Sequence, residues 1–432
     1  MRPHFTVVIP TRNRLGTLKY ALRTCLEQSY DELSVIVASN NCSDGTSEFL
    51  AALGAPRVVE IAARSDLNMT QNWSRVMAPA IERGGYITYL GDDDGLLPGA
   101  LDLAAKLIQR HRCGVLSWRK AEYVWPDAVV ENYRNYFWMS IRSGVELRKS
   151  EEFLSGVHDF SVGYDEGPGI YSSFISAEVL QRLQISADED WFAGCSPDVY
   201  SAYAIAAGVP DYIRCRFALS VNGGSGASNG LAYMHAPLSG AAASFRRESP
   251  IHEPLVHAPC VAIAEADALL VARDRFPSYF QRYQFSWTAL RGRIGAAMAS
   301  APSREHYELL AEAFARVESM AGGLAVAPPP FAAPAPIEVS IGQAPLSPGS
   351  GSFCGLLDER LVDNVFDASL LASCLLPLSR IEDLEVVDER ASAEHRGSPC
   401  RGAPSTSLPM RLKRRAKRLV QLLRRGMPAH DD

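Results

Sequence analysis

Apolar runs and helical stripes alternate along the first 120 residues. Residues 5–9 are an almost continuous apolar run, as in a strand buried on both faces. Leu18, Ala21, Leu22, Cys25 and Leu26 then repeat at the spacing of one helical face. The same alternation predicts further strands over 33–38, 57–61, 86–90 and 115–118. Between them it predicts a helix opened by Asp44-Gly-Thr-Ser with Phe49, Leu50 and Leu53 inward, and a helix over 70–83. Another helix starts near Pro98, a favoured first-turn residue, and runs to about His111. Strands joined by helices of this length form right-handed βαβ units and a mainly parallel sheet.

Beyond residue 120 the pattern loosens. Residues 121–235 mix aromatic-rich strands and loops, with a strand over 170–176 and a short helix over 200–207 ended by Gly208 and Pro210. Residues 255–322 read as helical, including an amphipathic stretch over 303–320. Seven prolines within 326–350 have the composition of a linker. Residues 353–400 are weakly patterned, with one small helical element over 361–376. In 408–427, Leu412, Ala416, Leu419, Val420 and Leu423 share one helical face, with arginines elsewhere.

At 432 residues and 47% hydrophobic, the chain can bury a sizeable core. The net charge of −6 gives no general nucleic-acid signal. Residues 411–425 hold eight Lys/Arg and no acid, so the rest carries −14 and the charge is polarised along the chain. That tail fits either an anionic membrane surface or a solvated or partner-bound helix. The nine cysteines show no C-x-x-C pair and no zinc spacing, as for free thiols in a reducing compartment. No leader-like segment precedes the first strand and no apolar run is long enough to span a bilayer, so a cytoplasmic location is expected.

The densest chemistry lies in Leu90-Gly-Asp-Asp-Asp-Gly-Leu-Leu-Pro98. Asp92, Asp93 and Asp94 directly follow an apolar strand, and like charges held this close repel more when partly desolvated. A divalent cation would relieve them, shared with substrate phosphates at the carboxyl edge of the sheet. The plainer alternative is a solvated acidic turn. The first strand ends in Val8-Ile-Pro-Thr-Arg-Asn-Arg14, a basic strand-to-helix turn suited to an anion. The second ends in Ala38-Ser-Asn-Asn-Cys-Ser-Asp-Gly-Thr46, whose short polar side chains fit a planar base or an Asx turn.

Taken together, these runs resemble the inverting family 2 glycosyltransferases, whose nucleotide-sugar-binding fold is called GT-A. The resemblance covers roughly residues 5–225 and includes Leu67-Asn-Met-Thr-Gln-Asn-Trp73, similar to the family's Asn-rich segment. It implies an α/β GT-A domain over 1–235, with a nucleotide-binding half 1–120 and an acceptor half 121–235. A helical extension 236–325, a Pro-rich linker 326–350 and a weakly ordered region 351–432 with the basic tail 408–427 complete the expected layout. The implied activity is transfer of a sugar, with UDP as the expected carrier, to a glycan or lipid-linked acceptor with inversion, as in cell-surface polysaccharide biosynthesis. Pro10, Thr11, Arg12, Arg14, Asn40, Asn68 and Asn72 are expected to hold the nucleotide sugar. Asp92 is expected near the ribose or sugar, Asp93 on Mn²⁺ or Mg²⁺ with Asp92 as second ligand, and Asp94 as support or a sugar contact.

Two departures stand out. The family's acidic pair after the second strand is replaced by Ser39 and Asn40, although an amide can still pair with a uracil edge. The position often held by the first Asp of the DXD metal motif is Gly91. An inverting transfer also needs a general base on the acceptor hydroxyl. Family spacing leaves Asp188, Glu189, Asp190 and Asp198; Asp198, just ahead of a helix, is favoured over Asp190. The competing role for Asp198 is a helix cap. Trp191 and Phe192 are either stacking platforms for a sugar or core. Gly223-Gly-Ser-Gly-Ala-Ser-Asn-Gly230 fits neither phosphate-loop pattern, so a surface loop is expected ahead of one closing the site. The other readings are a nucleotidyltransferase, which the single glycine in 10–16 disfavours, and a non-catalytic binding module of the same fold.

Overall fold

The structure, a computed structural model, describes residues 2–184, 189–322, 325–332, 347–348, 351–381 and 385–386. Its first part runs β1 (Phe5–Thr11), α1 (Leu15–Leu26), β2 (Leu33–Asn40), α2 (Thr46–Leu53), β3 (Val58–Ala63), α3 (Met69–Ser74), α4 (Met77–Glu82), β4 (Tyr86–Tyr89), β5 (Gly95–Leu96), α5 (Ala100–His111) and β6 (Val115–Trp118). It continues with β7 (Ala121–Val124), β8 (Tyr136–Lys149), α6 (Ser150–His158), β9 (Ser173–Ser176), α7 (Ala177–Arg182), α8 (Pro197–Gly208), β10 (Asp211–Phe217) and β11 (Ser220–Gly224). Helices α9 (Asn229–His235), α10 (Gly240–Glu248), α11 (Val261–Arg275), α12 (Pro277–Phe280), α13 (Trp287–Ala299) and α14 (Arg304–Ala321) follow, then β12 (Ser347–Pro348), β13 (Ser352–Leu356) and α15 (Val365–Leu375).

The central sheet has the order β3-β2-β1-β4-β9-β6-β10. β1 pairs in parallel with β2 and β4, β2 with β3, and β6 with β10; only β9 runs against its two neighbours. The mainly parallel α/β sheet of a GT-A fold is therefore present. Strand alternation divides the core between the two faces. Phe5, Val7 and Ile9 of β1 join Leu33, Val35 and Val37 of β2 on the face covered by α1, α5 and α15. Val8, Ile36 and Ala38 point the other way, into a core shared with α7, α8 and the helices α11 to α14. The helical extension is thus packed onto the same core as α8 and is not a separate layer.

Several boundaries move for identifiable reasons. The helix expected over 70–83 is broken into α3 and α4, because Pro79 has no N–H to give the Arg75 carbonyl four residues back. Asn68 starts α3 with a capping box, accepting from Gln71 N at 2.8 Å while Gln71 reaches back to its N–H. The helix expected from near Pro98 to about His111 is present as α5, Ala100–His111, with Gly99 at its cap. Residues 95–96 first form β5, antiparallel to β11, and Leu97 N bonds Leu219 O at 2.9 Å. Residues 352–375, expected to be weakly ordered apart from one helical element, contribute β13, which pairs with β8 from Tyr136 to Ser140, and α15, which buries Val365, Ala368 and Leu371. Partners distant in the chain decide this, and local pattern carries no trace of them. The tail 408–427 and most of the expected linker lie outside the described residues, as does Asp188.

Candidate active site

The carboxyl ends of β1, β2 and β4 open onto a cavity of about 730 Å³, lined by Asp92 and Asp93 of the acidic triplet and by residues of α9 and α10. The triplet is a turn between β4 and β5. Asp94 N bonds Gly91 O at 3.1 Å, and the Asp94 carboxylate accepts from Gly91 N at 3.1 Å. All three carboxylates are buried, at 2%, 5% and 1% exposure for Asp92, Asp93 and Asp94, which excludes the solvated-turn alternative.

Each acid has its own partners. Asp92 accepts from Thr11 Oγ1 at 2.7 Å and from Arg14 at 3.1 Å, so both its oxygens are engaged by the turn after β1. Asp93 accepts on Oδ2 from the N–H and hydroxyl of Ser225, at 3.1 and 2.7 Å. Asp94 accepts from Gly223 N at 2.6 Å and from the Tyr171 hydroxyl. The Gly223–Gly230 loop is therefore bonded to the triplet and lines the cavity, a correction to its reading as a surface loop. Gly223 is required there: a Cβ would sit 1.8 Å from the Asp93 carbonyl oxygen. Gly91 is equally constrained, since a Cβ would sit 2.2 Å from the Tyr171 hydroxyl and 2.9 Å from Asp94 Oδ2. A carboxylate at position 91 has no room in this packing.

Burial raises Asp94 to about 7, helped by the charge of Asp93 and opposed by Lys120, the Tyr171 hydroxyl and Gly223 N–H. Burial also raises Asp92, with Arg14 pulling it back and Asp93 adding to the rise. Burial would lower Arg14, but the charges of Asp92 and Asp93 more than offset it and the guanidinium stays protonated. A divalent cation fits this donor set in one way. Asp92 is taken by Thr11 and Arg14, whereas Asp93 keeps Oδ1 without a hydrogen bond among the described residues. Those residues contain no cage of three or more His, Cys, Asp or Glu. One carboxylate plus substrate phosphates and water is an ordinary Mg²⁺ arrangement.

The expected nucleotide-sugar residues divide. Pro10, Thr11, Arg12, Arg14, Asn40, Asn72, Asp92 and Asp93 line the cavity together. Asn40 spends its amide on both ends of one peptide, to Leu67 O at 2.8 Å and from Leu67 N at 3.0 Å. One N–H and one lone pair remain for a base edge. Asn72 bridges Ala38 O and Arg75, whose guanidinium reaches Ser39 O and Ile61 O, so this pair ties the ends of β2 and β3 together. Asn68 is the half-buried cap of α3 and, like Asp94, does not line the cavity. Arg12 is held by Asp66 at 2.7 Å and by Glu248 of α10 at 3.1 Å, and Arg14 also reaches Asn229 of α9 at 3.2 Å.

The candidate bases separate clearly. Asp198 stands in the first turn of α8, behind Pro197, and lines the cavity. Burial raises its proton affinity, opposed by Lys120 and by the Val199 and Asp198 N–H groups. It does not cap α8, because Ser196 holds the cap position. Asp190 is exposed and outside the cavity, its carbonyl held by Arg275 at 2.7 Å, and Glu189 pairs with the same arginine. Trp191 and Phe192 are core: the indole N–H donates to Leu180 O at 3.2 Å and Phe192 packs on Trp73 and Tyr89.

Four site residues escape the sequence reading. Ser225 lay inside the flagged glycine loop. Lys120 and Glu122 directly follow β6, at the carboxyl edge where open α/β sheets bind ligands, and that position was the available signal. Lys120 Nζ donates to Asn222 at 2.8 Å and lies 4.2 Å from the Tyr171 ring centre. Glu122 accepts from Asn222 at 3.0 Å, and burial raises it against the pull of Lys120. Tyr171 carries no sequence signal.

Residues 6–161 match the family model described as Glycosyl transferase family 2. An uncharacterized protein of Mycobacterium tuberculosis is 29% identical over 114 residues, 26% of this chain and 35% of its own length. The GalNAc(5)-diNAcBac-PP-undecaprenol beta-1,3-glucosyltransferase of Campylobacter jejuni is 29% identical over 100 residues, 23% of this chain and 32% of its own length. The chain thus spans about a third of the length of these curated relatives. The crystal structure of S. aureus TarS 1-349 in complex with UDP-GlcNAc is 14% identical, covers 73% of this chain and 88% of its own, and has a TM-score of 0.41, too low to bear on the fold.

Proposed function

We propose, from the premise that residues 6–161 are a family 2 glycosyltransferase domain, that this chain moves a sugar from a nucleoside-diphosphate donor to an acceptor hydroxyl with inversion. The observation that carries the reading is the convergence, around one cavity, of the basic turn 10–14, the acidic pair Asp92 and Asp93 and the isolated carboxylate Asp198. Arg14, fixed by Asp92 and Asn229, holds positive charge where the diphosphate would lie. Asn40 keeps one donor and one acceptor for the base, which suits a uracil edge. A Mn²⁺ or Mg²⁺ ion held through Asp93 would offset charge developing on the departing diphosphate. Asp198, across the cavity, takes the proton of the incoming hydroxyl, and its raised proton affinity brings it nearer the operating pH than an exposed carboxylate. A lipid-linked or surface glycan is the acceptor class we assign, and tail 408–427 supplies contact with an anionic inner-membrane surface. Among the described residues no helix is long and apolar enough to cross a membrane.

A screen of nucleotide sugars with Mn²⁺ and Mg²⁺ tests this reading. Metal-dependent turnover of at least one donor is expected. Asp93→Asn should remove the metal dependence of nucleotide affinity in calorimetry. Asp198→Asn should leave that affinity intact while lowering kcat by about 10²–10⁴-fold. Absence of any metal-dependent nucleotide affinity would overturn the proposal, and full turnover in Asp198→Asn would remove Asp198 from it.

A further inference from the structure

A second, smaller cavity of about 260 Å³ adjoins the first and shares Lys120, Glu122, Tyr164, Tyr171 and Asp198 with it. The sheet neighbours Glu122 and Trp138 line it, and Asn222, beside Glu122, lines the larger cavity. Asn222 of β11 pairs with Glu122 of β7, which pairs with Trp138 of β8. Directly opposed residues project to the same face, so the amide, the carboxylate and the indole stand side by side. Strand alternation sends Phe137 and Met139 into the core and leaves Tyr136 and Trp138 half-buried on the cavity side. Tyr164, Asp165 and Asp198 close the opposite wall.

We infer that this cavity is a subsite for one uncharged sugar ring of the acceptor, an inference that rests on the transferase reading above. Three observations point there. Asp198 lines both cavities, so a ring in the smaller one can present a hydroxyl to it while the donor occupies the larger. Aromatic walls with carboxylate groups between them match the two faces of a pyranose, apolar C–H and polar hydroxyl. The volume is below the roughly 300–1,000 Å³ of drug-sized sites, which suits a single ring better than an extended chain.

Charge selects against an anionic acceptor. Glu122, Asp165 and Asp198 outnumber the two lining cations, Lys120 and Arg119. Lys120 is bonded to Asn222 and sits against Tyr171, and the Arg119 guanidinium lies 4.6 Å from the Trp138 ring centre. A phosphate or uronate placed here would add negative charge to a lining in which three carboxylates already outnumber two cations, at an energetic cost.

Saturation-transfer NMR with neutral methyl hexosides, the matching methyl hexuronides and hexose phosphates tests this on the full chain. At least one neutral hexoside should bind, and uronides and phosphates should bind more weakly. Trp138→Ala should weaken the neutral hexoside by about tenfold, with Trp138→Phe keeping most of the affinity. Glu122→Gln should relax the discrimination against uronides. The urea-unfolding midpoint serves as the folding control in every variant. Equal binding of anionic and neutral probes, no binding of any neutral hexoside, or an unchanged Trp138→Ala would each overturn the inference. The hexoside measurement needs no nucleotide, so a missing donor affinity would defeat the transferase reading while leaving this test in force.

Discussion

Replacing Gly91 by Ala probes the packing on which the acidic turn depends. The added Cβ would lie 2.2 Å from the Tyr171 hydroxyl and 2.9 Å from Asp94 Oδ2. Carbon and oxygen rest comfortably only beyond about 3.3 Å, so something must move by roughly 1 Å. Tyr171 has little freedom to do so. Its ring stacks on Trp73 at 5.7 Å and lies beneath Lys120, and its hydroxyl is hydrogen-bonded to Asp94. Overpacking of this kind costs about 1–3 kcal/mol. Displacing the hydroxyl from Asp94 adds up to about 1.5–3 kcal/mol, the range for a hydrogen bond to a charged group. Gly91→Ala should therefore destabilise by about 2.5–6 kcal/mol in urea unfolding, the sum of those two ranges. Tyr171→Phe alone should lose only the hydrogen bond. The double variant removes the nearest clash, so its cost should be less than the sum of the singles by about 1–2 kcal/mol. Gly91→Asp should likewise fail to raise metal affinity, because the side chain has nowhere to go. A Gly91→Ala variant within about 0.5 kcal/mol of the parent, or strict additivity in the cycle, would refute the reasoning.

Three further outcomes follow from the same geometry. Gly223→Ala places a Cβ 1.8 Å from the Asp93 carbonyl oxygen, backbone against backbone; metal-dependent nucleotide affinity should be lost by calorimetry, and its retention would show that the loop is not bound to the triplet. Because burial raises Asp198 and a base must be deprotonated, kcat/KM should rise with pH through a pKa above the ordinary carboxylate value, with that acid limb absent from the residual activity of Asp198→Asn. His158 is lowered to about 4, chiefly by burial, with its ring stacked on Tyr283. The unfolded chain then binds the extra proton between about pH 6.5 and 4, so stability is present above that window and is lost as pH falls through it. The loss should be at most about 3 kcal/mol, and denaturation of His158→Phe at several pH values should show a shallower dependence.

The legible part of the site is the part built from consecutive residues. The turn 10–14, the run 39–46 and the triplet 92–94 each sit where a buried strand meets its carboxyl edge, so hydrophobic pattern located them and the sheet brought them together. Local pattern also located Asp198 at the start of α8. It could not tell Asn68, a helix cap outside the cavity, from Asn72, a buried tie between strands, because both are asparagines in one short helical segment. It favoured Asp198 over Asp190 for its place ahead of a helix, and the fold adds that the cavity reaches Asp198 while Asp190 is exposed outside it.

What the amino-acid sequence determined by itself is therefore the parallel half of the sheet and the identity of its edge chemistry. Those follow from residue periodicity, which is local. Tertiary structure alone decided how the three acids divide their work. Asp92 is spent on Thr11 and Arg14, Asp94 on Gly223, Gly91 and Tyr171, and Asp93 is left with an oxygen to offer. It also decided that Ser225, Lys120, Glu122 and Trp138 belong to the site, and that residues 352–375 complete the sheet edge and core. The physical reason is the same in each case: hydrogen bonds and burial between groups such as Arg12 and Glu248, 236 residues apart, depend on the fold having already formed, and no window of sequence contains both partners.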